Sequence, residues 1–89
     1  MRAVITVIGK DRVGIIAGVS NVLAQTGVNI LDISQTTMQE IFTMIMLVDL
    51  SGASEPFGEI VLKLDQKGTD LGLSIKMQHE DIFNSMHRI

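Results

Sequence analysis

Gly9-Lys10-Asp11-Arg12-Val13-Gly14-Ile15-Ile16-Ala17, followed at helix length by Gly27-Val28-Asn29-Ile30-Leu31-Asp32-Ile33, reads as a strand end, a glycine-flanked loop, an amphipathic helix with its stop signal, and the start of a second strand. Glycines at 9 and 14 leave room for the backbone to approach a ligand or a neighbouring chain. The first amides of the helix have no partners inside it and can receive an anion. Asp11 has the chemistry of an N-cap, and Gly27 sits where a left-handed C-terminal residue is wanted. Between them Val13, Ile16, Val19 and Leu23, flanked by Ile15 and Val22, recur at the helical period and predict a helix over about residues 12–26.

Outward from this stretch, residues 2–8 are β-branched and apolar on both faces, the signature of a central strand. Residues 28–38 read as an edge strand, with Leu31, Ile33, Gln35 and Thr37 on one face and Asp32, Ser34 and Thr36 on the other. Gln39-Glu40 marks a reversal without the Gly or Asn that two-residue turns favour. Ile41 to Leu50 is a second double-sided run, with Phe42, Met44, Met46, Val48 and Leu50 on one face and Ile41, Thr43, Ile45 and Leu47 on the other. Ser54-Glu55-Pro56 is a helix start with proline in the first turn. Phe57, Ile60, Val61, Leu64 and Leu71 supply that helix's stripe, with Gly68 as a weak point and Gly72 as its stop. Leu73 to Glu80 alternates as a half-buried edge strand. The tail 81–89 carries Ile82, Phe83, Met86 and Ile89 at helical spacing.

Strand, helix, strand, strand, helix, strand is the ferredoxin-like βαββαβ order, an α+β two-layer sandwich whose four-stranded antiparallel sheet runs 4-1-3-2 with both helices on one face. The two double-sided apolar runs fall on the two central strands, where this topology needs them. The opposite sheet face then has no cover within the chain, and a second copy, wrapped by the tail, is the cheapest occupant. A homodimer is therefore expected.

The pattern Gly-x-Asp-Arg-x-Gly-Ile-x-Ala, followed by Gly-Val-Asn-Ile, resembles the small-molecule-sensing ACT domains. Residues 74–89, especially Glu80-Asp81-Ile82-Phe83 and Met86-His87-Arg88-Ile89, are similar to the tail of short stand-alone bacterial ACT proteins of uncharacterised function, the UPF0237-like group. The resemblance covers the whole chain as one domain, residues 1–89. It implies an amino-acid ligand where the first loop of one domain faces its neighbour, held largely by backbone groups. Carried over by position, this implicates Gly9, Asp11, Arg12, Val13, Gly14, Ile15 and Asn29. Val13 stands where many members have proline.

Composition excludes several classes. At 89 residues the chain is one domain, and 46% hydrophobic residues suffice for its own core. Cysteine is absent, which removes disulfides and thiolate metal sites. Seven basic against ten acidic residues give a net charge of −3, with no electrostatic footprint for direct nucleic-acid binding. No apolar run approaches a membrane span, and Lys10, Asp11 and Arg12 cut short any secretory core, so a cytoplasmic, membrane-free protein is expected.

The ordinary alternatives are weighed alongside. Asp11 and Arg12 serve equally well as a cap and a solvated cation, and Asn29 as a turn residue. His79 and His87 beside Glu80 and Asp81 match no metal-ligand spacing, and His87 and Arg88 fit interface hydrogen bonds better. The methionines, Met44, Met46, Met77 and Met86 among them, read as filler of core and interface. No nucleophile comes with a base, and Gly9 to Gly14 lacks the Lys-Ser/Thr of a phosphate loop, so neither catalysis nor a cofactor is expected. The reading is a ligand-sensing regulatory module acting through a protein partner. Its rival is a constitutive interaction scaffold whose loop side chains fill the cleft.

Overall fold

The computed structural model describes residues 1–86, with the side chains of Ser85 and Met86 excepted. The expected roles of His87, Arg88, Ile89 and the Met86 side chain lie outside the described residues.

The elements are β1 (Arg2–Lys10), α1 (Ile15–Gln25), β2 (Asn29–Met38), β3 (Ile41–Asp49), α2 (Phe57–Leu71), β4 (Leu73–His79) and α3 (Glu80–Met86). The sheet order is β2-β3-β1-β4 with every neighbouring pair antiparallel, which is the ferredoxin-like order read from the other end. The double-sided runs occupy the two central strands, as their pattern requires.

Residues directly opposite in antiparallel strands share a face. Ala3, Ile5 and Val7 pair with Val48, Met46 and Met44, and all six are fully buried. They form one core with Val19 and Leu23 of α1, Ile60 and Leu64 of α2, and Ile75 and Met77 of β4. Both long helices therefore cover this face. The other face carries Thr6, Ile8, Thr43, Ile45 and Leu47, none of them buried, and Val4, which is buried at the end where α3 packs.

Several local expectations are corrected. Helix α1 begins at Ile15 rather than near residue 12, and its N-cap is Gly14, not Asp11, with no side-chain cap bond. Gly14 sits at φ 93°, a left-handed turn that must be completed before helical dihedrals begin. The stripe is consequently re-phased: Ile15, Val19, Val22 and Leu23 are buried, whereas Val13 is 97% and Ile16 41% exposed. At the other end of α1, Thr26 is fully buried and its hydroxyl donates to the Val22 carbonyl at 2.9 Å, with Gly27 following at φ 72°.

Pro56 lies just before α2 rather than inside its first turn, and its carbonyl accepts from the Glu59 and Ile60 amides. Gly68 is not a weak point. A Cβ there would lie 2.8 Å from the Leu73 carbonyl oxygen and 3.3 Å from Ile75 Cγ1, so its bare backbone lets α2 approach β4. In β2 the ladder slips between Ile30 and Asp32, so that Leu31 leaves the alternation while Ile33, Gln35 and Thr37 stay on the helix-covered face. The reversal at Gln39-Glu40 is tight, with Gln39 at φ 56° and Met38 paired to Ile41.

At the other end of the sheet α3 packs on β1 and β4, joined to them by the Arg2–Glu80 ion pair. That carboxylate raises the Arg2 pKa by accepting its hydrogen bond and by its charge. Asp49 Oδ1 accepts from the Ser51 hydroxyl at 2.6 Å and the Ser51 amide at 2.9 Å, bonds that hold its carboxyl below the ordinary value of 3.8.

Candidate functional site

The loop between β1 and α1 is fixed from two sides. The Asp11 amide donates to the Glu40 carbonyl at 2.8 Å, tying it to the β2–β3 turn, and Arg12 Nη1 donates to the Leu71 carbonyl at 3.0 Å, tying it to the end of α2. Gly14 then turns the chain into α1. Its carbonyl accepts the first helical bond, from Gly18, at 2.8 Å. The amides of Ile15, Ile16 and Ala17 precede that bond and have no partner within the helix.

Residues 14–17 border a cleft of about 390 Å³ between the start of α1 and the helix-covered face of β2 and β3. Its walls combine Asp11, Arg12, the first turn of α1, the polar side chains of Gln35 and Thr37, and the ring of Phe42. A second, larger cleft of about 500 Å³ lies on the other side of the loop, between Lys10, Asp11, Arg12 and the Leu71-Gly72 junction. The first cleft has the more varied chemistry: donors from the helix terminus, a carboxylate from Asp11, amide and hydroxyl groups from β2, and an apolar flank from Ile16 and Phe42.

The residues expected from sequence divide accordingly. Asp11, Arg12, Gly14 and Ile15 come together at the first cleft, although the Ile15 side chain is buried in the core beneath it. Gly9 lies within β1 and takes a packing role, since a Cβ there would meet Leu73 Cδ2 at 2.4 Å. Val13 turns outward and lines neither cleft. Asn29 pairs with Asp49 at the far end of β2, eight residues and roughly 26 Å along the strand from Thr37. Within one chain it does not reach the loop.

Sequence reasoning missed Ile16, Ala17, Gln35, Thr37 and Phe42 as lining residues. A signal for two of them was present, because the face of β2 that begins with Ile33 turns polar at Gln35 and Thr37. His79 stacks on Phe57 with ring centroids 4.4 Å apart and planes 8° from parallel. It therefore serves aromatic packing between β4 and α2. Among the described residues no three of His, Cys, Asp and Glu gather where they could hold one metal ion.

A family model described as ACT domain matches residues 2–78, from the start of β1 to one residue short of the end of β4. The chain belongs to the ACT domain family. ACT domains are regulatory modules that bind small ligands. This ACT chain is 64% identical to a UPF0237 protein of Clostridium acetobutylicum over 89 residues, all of both chains. Among solved structures it is similar to an ACT domain protein from Streptococcus pneumoniae, with TM-score 0.81 and 43% identity over 93% of each chain. It is also similar to a putative glycine cleavage system transcriptional repressor, with TM-score 0.73 and 29% identity over 86% of this chain and 44% of that one. No helix among the described residues is long and apolar enough to cross a membrane.

Proposed function

We propose that this ACT chain is a regulatory sensor that binds an amino acid or a similar small metabolite in the cleft between the β1–α1 loop and β2, at a homodimer interface, and signals through a protein partner in the cytoplasm. The observation that carries the reading is the make-up of that cleft. Unpartnered α1 amides suit the ligand's carboxylate, the Asp11 carboxylate suits its ammonium group, Gln35 and Thr37 suit polar substituents, and Ile16 and Phe42 suit an apolar side chain. A scaffold with no ligand would fill this space with loop side chains. Instead Val13, the loop's aliphatic residue, points to solvent and the cleft stays open.

The cleft opens beside the free edge of β2. That edge runs ten residues, and from Ile33 to Met38 it has no Lys, Arg, Asp, Glu or Pro to discourage pairing. A second copy pairing antiparallel through this edge must keep equivalent residues on the same face, so the two-fold axis passes through a residue. With Ile33 on the axis, the extra residue at Leu31 sets the partner subunit's Asn29 beside Thr36, on the sheet face away from the cleft.

The two ties on the loop provide the signalling route. A ligand that repositions residues 11–14 is felt at Glu40 and at Leu71, so the β2–β3 turn and the α2–β4 junction respond, and a partner that reads either surface is biased. The likeness to a putative transcriptional repressor supports a transcription-linked role through such a partner. A net charge of −3 argues against direct contact with nucleic acid. No nucleophile paired with a base lines the cleft, so no catalytic step is assigned.

The test is a thermal-shift screen against the twenty amino acids and common metabolites, followed by calorimetric titration of any hit. Ligand at about a hundredfold excess over Kd stabilises by about 2.7 kcal/mol. For a domain of this size that is a shift of about 10 °C or more. The reading expects one chemical class of hits, lost in Asp11→Ala. A dimeric protein that no compound shifts would favour the scaffold instead.

A further inference from the structure

The cleft on the far side of the β1–α1 loop is the larger of the two, about 500 Å³, and no residue of α1 lines it. Lys10, Asp11 and Arg12 form one wall and Leu71 and Gly72 the other, brought together because Gly9 pairs with Leu73 at the end of the β1–β4 ladder. Its volume falls within the range of small-molecule sites, about 300–1,000 Å³. Its chemistry is unlike that of the first cleft: two cations, one carboxylate, and a leucine beside a glycine.

The cations are disposed for an anion. Arg12 Nη1 donates to the Leu71 carbonyl at 3.0 Å, which anchors the guanidinium across the cleft and leaves its other N–H groups to donate elsewhere. Lys10 is exposed at the last position of β1, and neither it nor Arg12 has an ion-pair partner among the described residues. Asp70, beside the cleft on α2, accepts from the Gln66 amide at 3.3 Å and is not among the lining residues, so Asp11 is the one carboxylate on the walls. A cation at the carbonyl end of a helix also offsets the helix dipole. That role accounts for Arg12 but not for Lys10 or for the open space over Gly72, where a built Cβ meets nothing within 4 Å.

We propose that this second cleft binds a small phosphate monoester, its phosphate held by Lys10 and Arg12 and the rest of the molecule lying over Leu71 and Gly72. A phosphate monoester carries a charge of about −1.5 to −2 at neutral pH. That is enough to outweigh Asp11 and the partial negative charge at the end of α2, against which a single carboxylate gains little. Its terminal oxygens accept from an ammonium and a guanidinium at once. The cleft is far larger than a phosphate group, which leaves room for the esterified body. This site is independent of the amino-acid reading of the first cleft.

An amide NMR titration of the full chain with glycerol 3-phosphate tests the proposal, with glycerol, glycerate and inorganic phosphate as parallel arms. The ester should give saturable shifts at Lys10, Arg12, Leu71 and Gly72, while Gln35 and Thr37, which report on the first cleft, stay in place. Glycerol should give none, and glycerate and inorganic phosphate should bind more weakly than the ester. Lys10→Gln should weaken the ester about tenfold with an unchanged circular dichroism spectrum, and Lys10→Arg should keep it, as expected of one charge-assisted contact. No saturable shift at millimolar ester, shifts confined to Gln35 and Thr37, glycerate or inorganic phosphate bound as tightly as the ester, or Lys10→Gln binding like the wild type would each overturn it.

Discussion

Replacing Gly14 by alanine isolates the conformational demand of the loop that shapes the cleft. Gly14 has φ 93° and ψ 2°, and a Cβ built on it meets nothing within 4 Å. Steric conflict with the rest of the molecule is therefore absent, and the cost is that of holding an L-residue in a left-handed conformation, about 1–2 kcal/mol. For a domain of 60–100 residues this lowers Tm by about 4–16 °C. Asparagine visits the same region with less penalty, so Gly14→Asn should fall between wild type and Gly14→Ala. The assay is urea unfolding followed by circular dichroism at 222 nm, at one fixed protein concentration so that subunit association contributes equally. An alanine variant as stable as wild type, or an asparagine variant no more stable than the alanine one, would refute the argument. In either case the helix could begin without the left-handed turn, and the start of α1 near residue 12 would regain its standing.

Three further outcomes follow from the packing. Gly58 and Gly68 lie on the same helix, yet Gly58→Ala should stabilise by about 0.5–1 kcal/mol, since nothing lies within 4 Å of its Cβ. Gly68→Ala should destabilise by about 1–2 kcal/mol, its clash with the Leu73 carbonyl outweighing the gain in helix propensity, and equal signs in urea unfolding would contradict the close approach of α2 to β4. Thr26→Val, which keeps shape and removes the hydroxyl that donates to Val22, should cost about 0.5–1.5 kcal/mol in the same assay. The Asp49 carboxyl is depressed in the folded state, so its contribution to stability is present above the unfolded value and is lost as pH falls through the folded one. Ser51→Ala should raise this pKa toward 3.8 in a carbon-detected NMR titration and move that acid loss to higher pH.

The layout was legible in the sequence because two runs are apolar on both faces and the other two strands are not, which assigns centre and edge before any contact is known. Helix stops at Gly27 and Gly72 were legible for the same local reason. The start of α1 was not. Ile15 and Ile16 are adjacent and both apolar, so a helical stripe can be phased through either, and only the handedness of Gly14 decides between them. The bulge at Leu31 is similarly silent, because Leu-Asp-Ile satisfies alternation on paper. Arg12 illustrates a further limit. Its partner is the main-chain carbonyl of Leu71, 59 residues away, and no side-chain pattern announces a carbonyl. The cleft was half visible: its loop side is a local motif, while Gln35, Thr37 and Phe42 reach it only through the fold.

The unguarded edge of β2 also makes the lone chain hazardous. Ile33-Ser34-Gln35-Thr36-Thr37-Met38 is an uncharged, proline-free, β-branched hexamer of the kind that stacks into cross-β fibrils when its main chain is left unpaired. In the folded protein one side of that main chain already faces β3, so only the outer side is at risk, and only while no other strand occupies it. Loss of the pairing partner would then show as insoluble protein rather than as a tidy population of single chains, and dilution or a charge-neutral change nearby would shorten the protein's useful life without touching its fold.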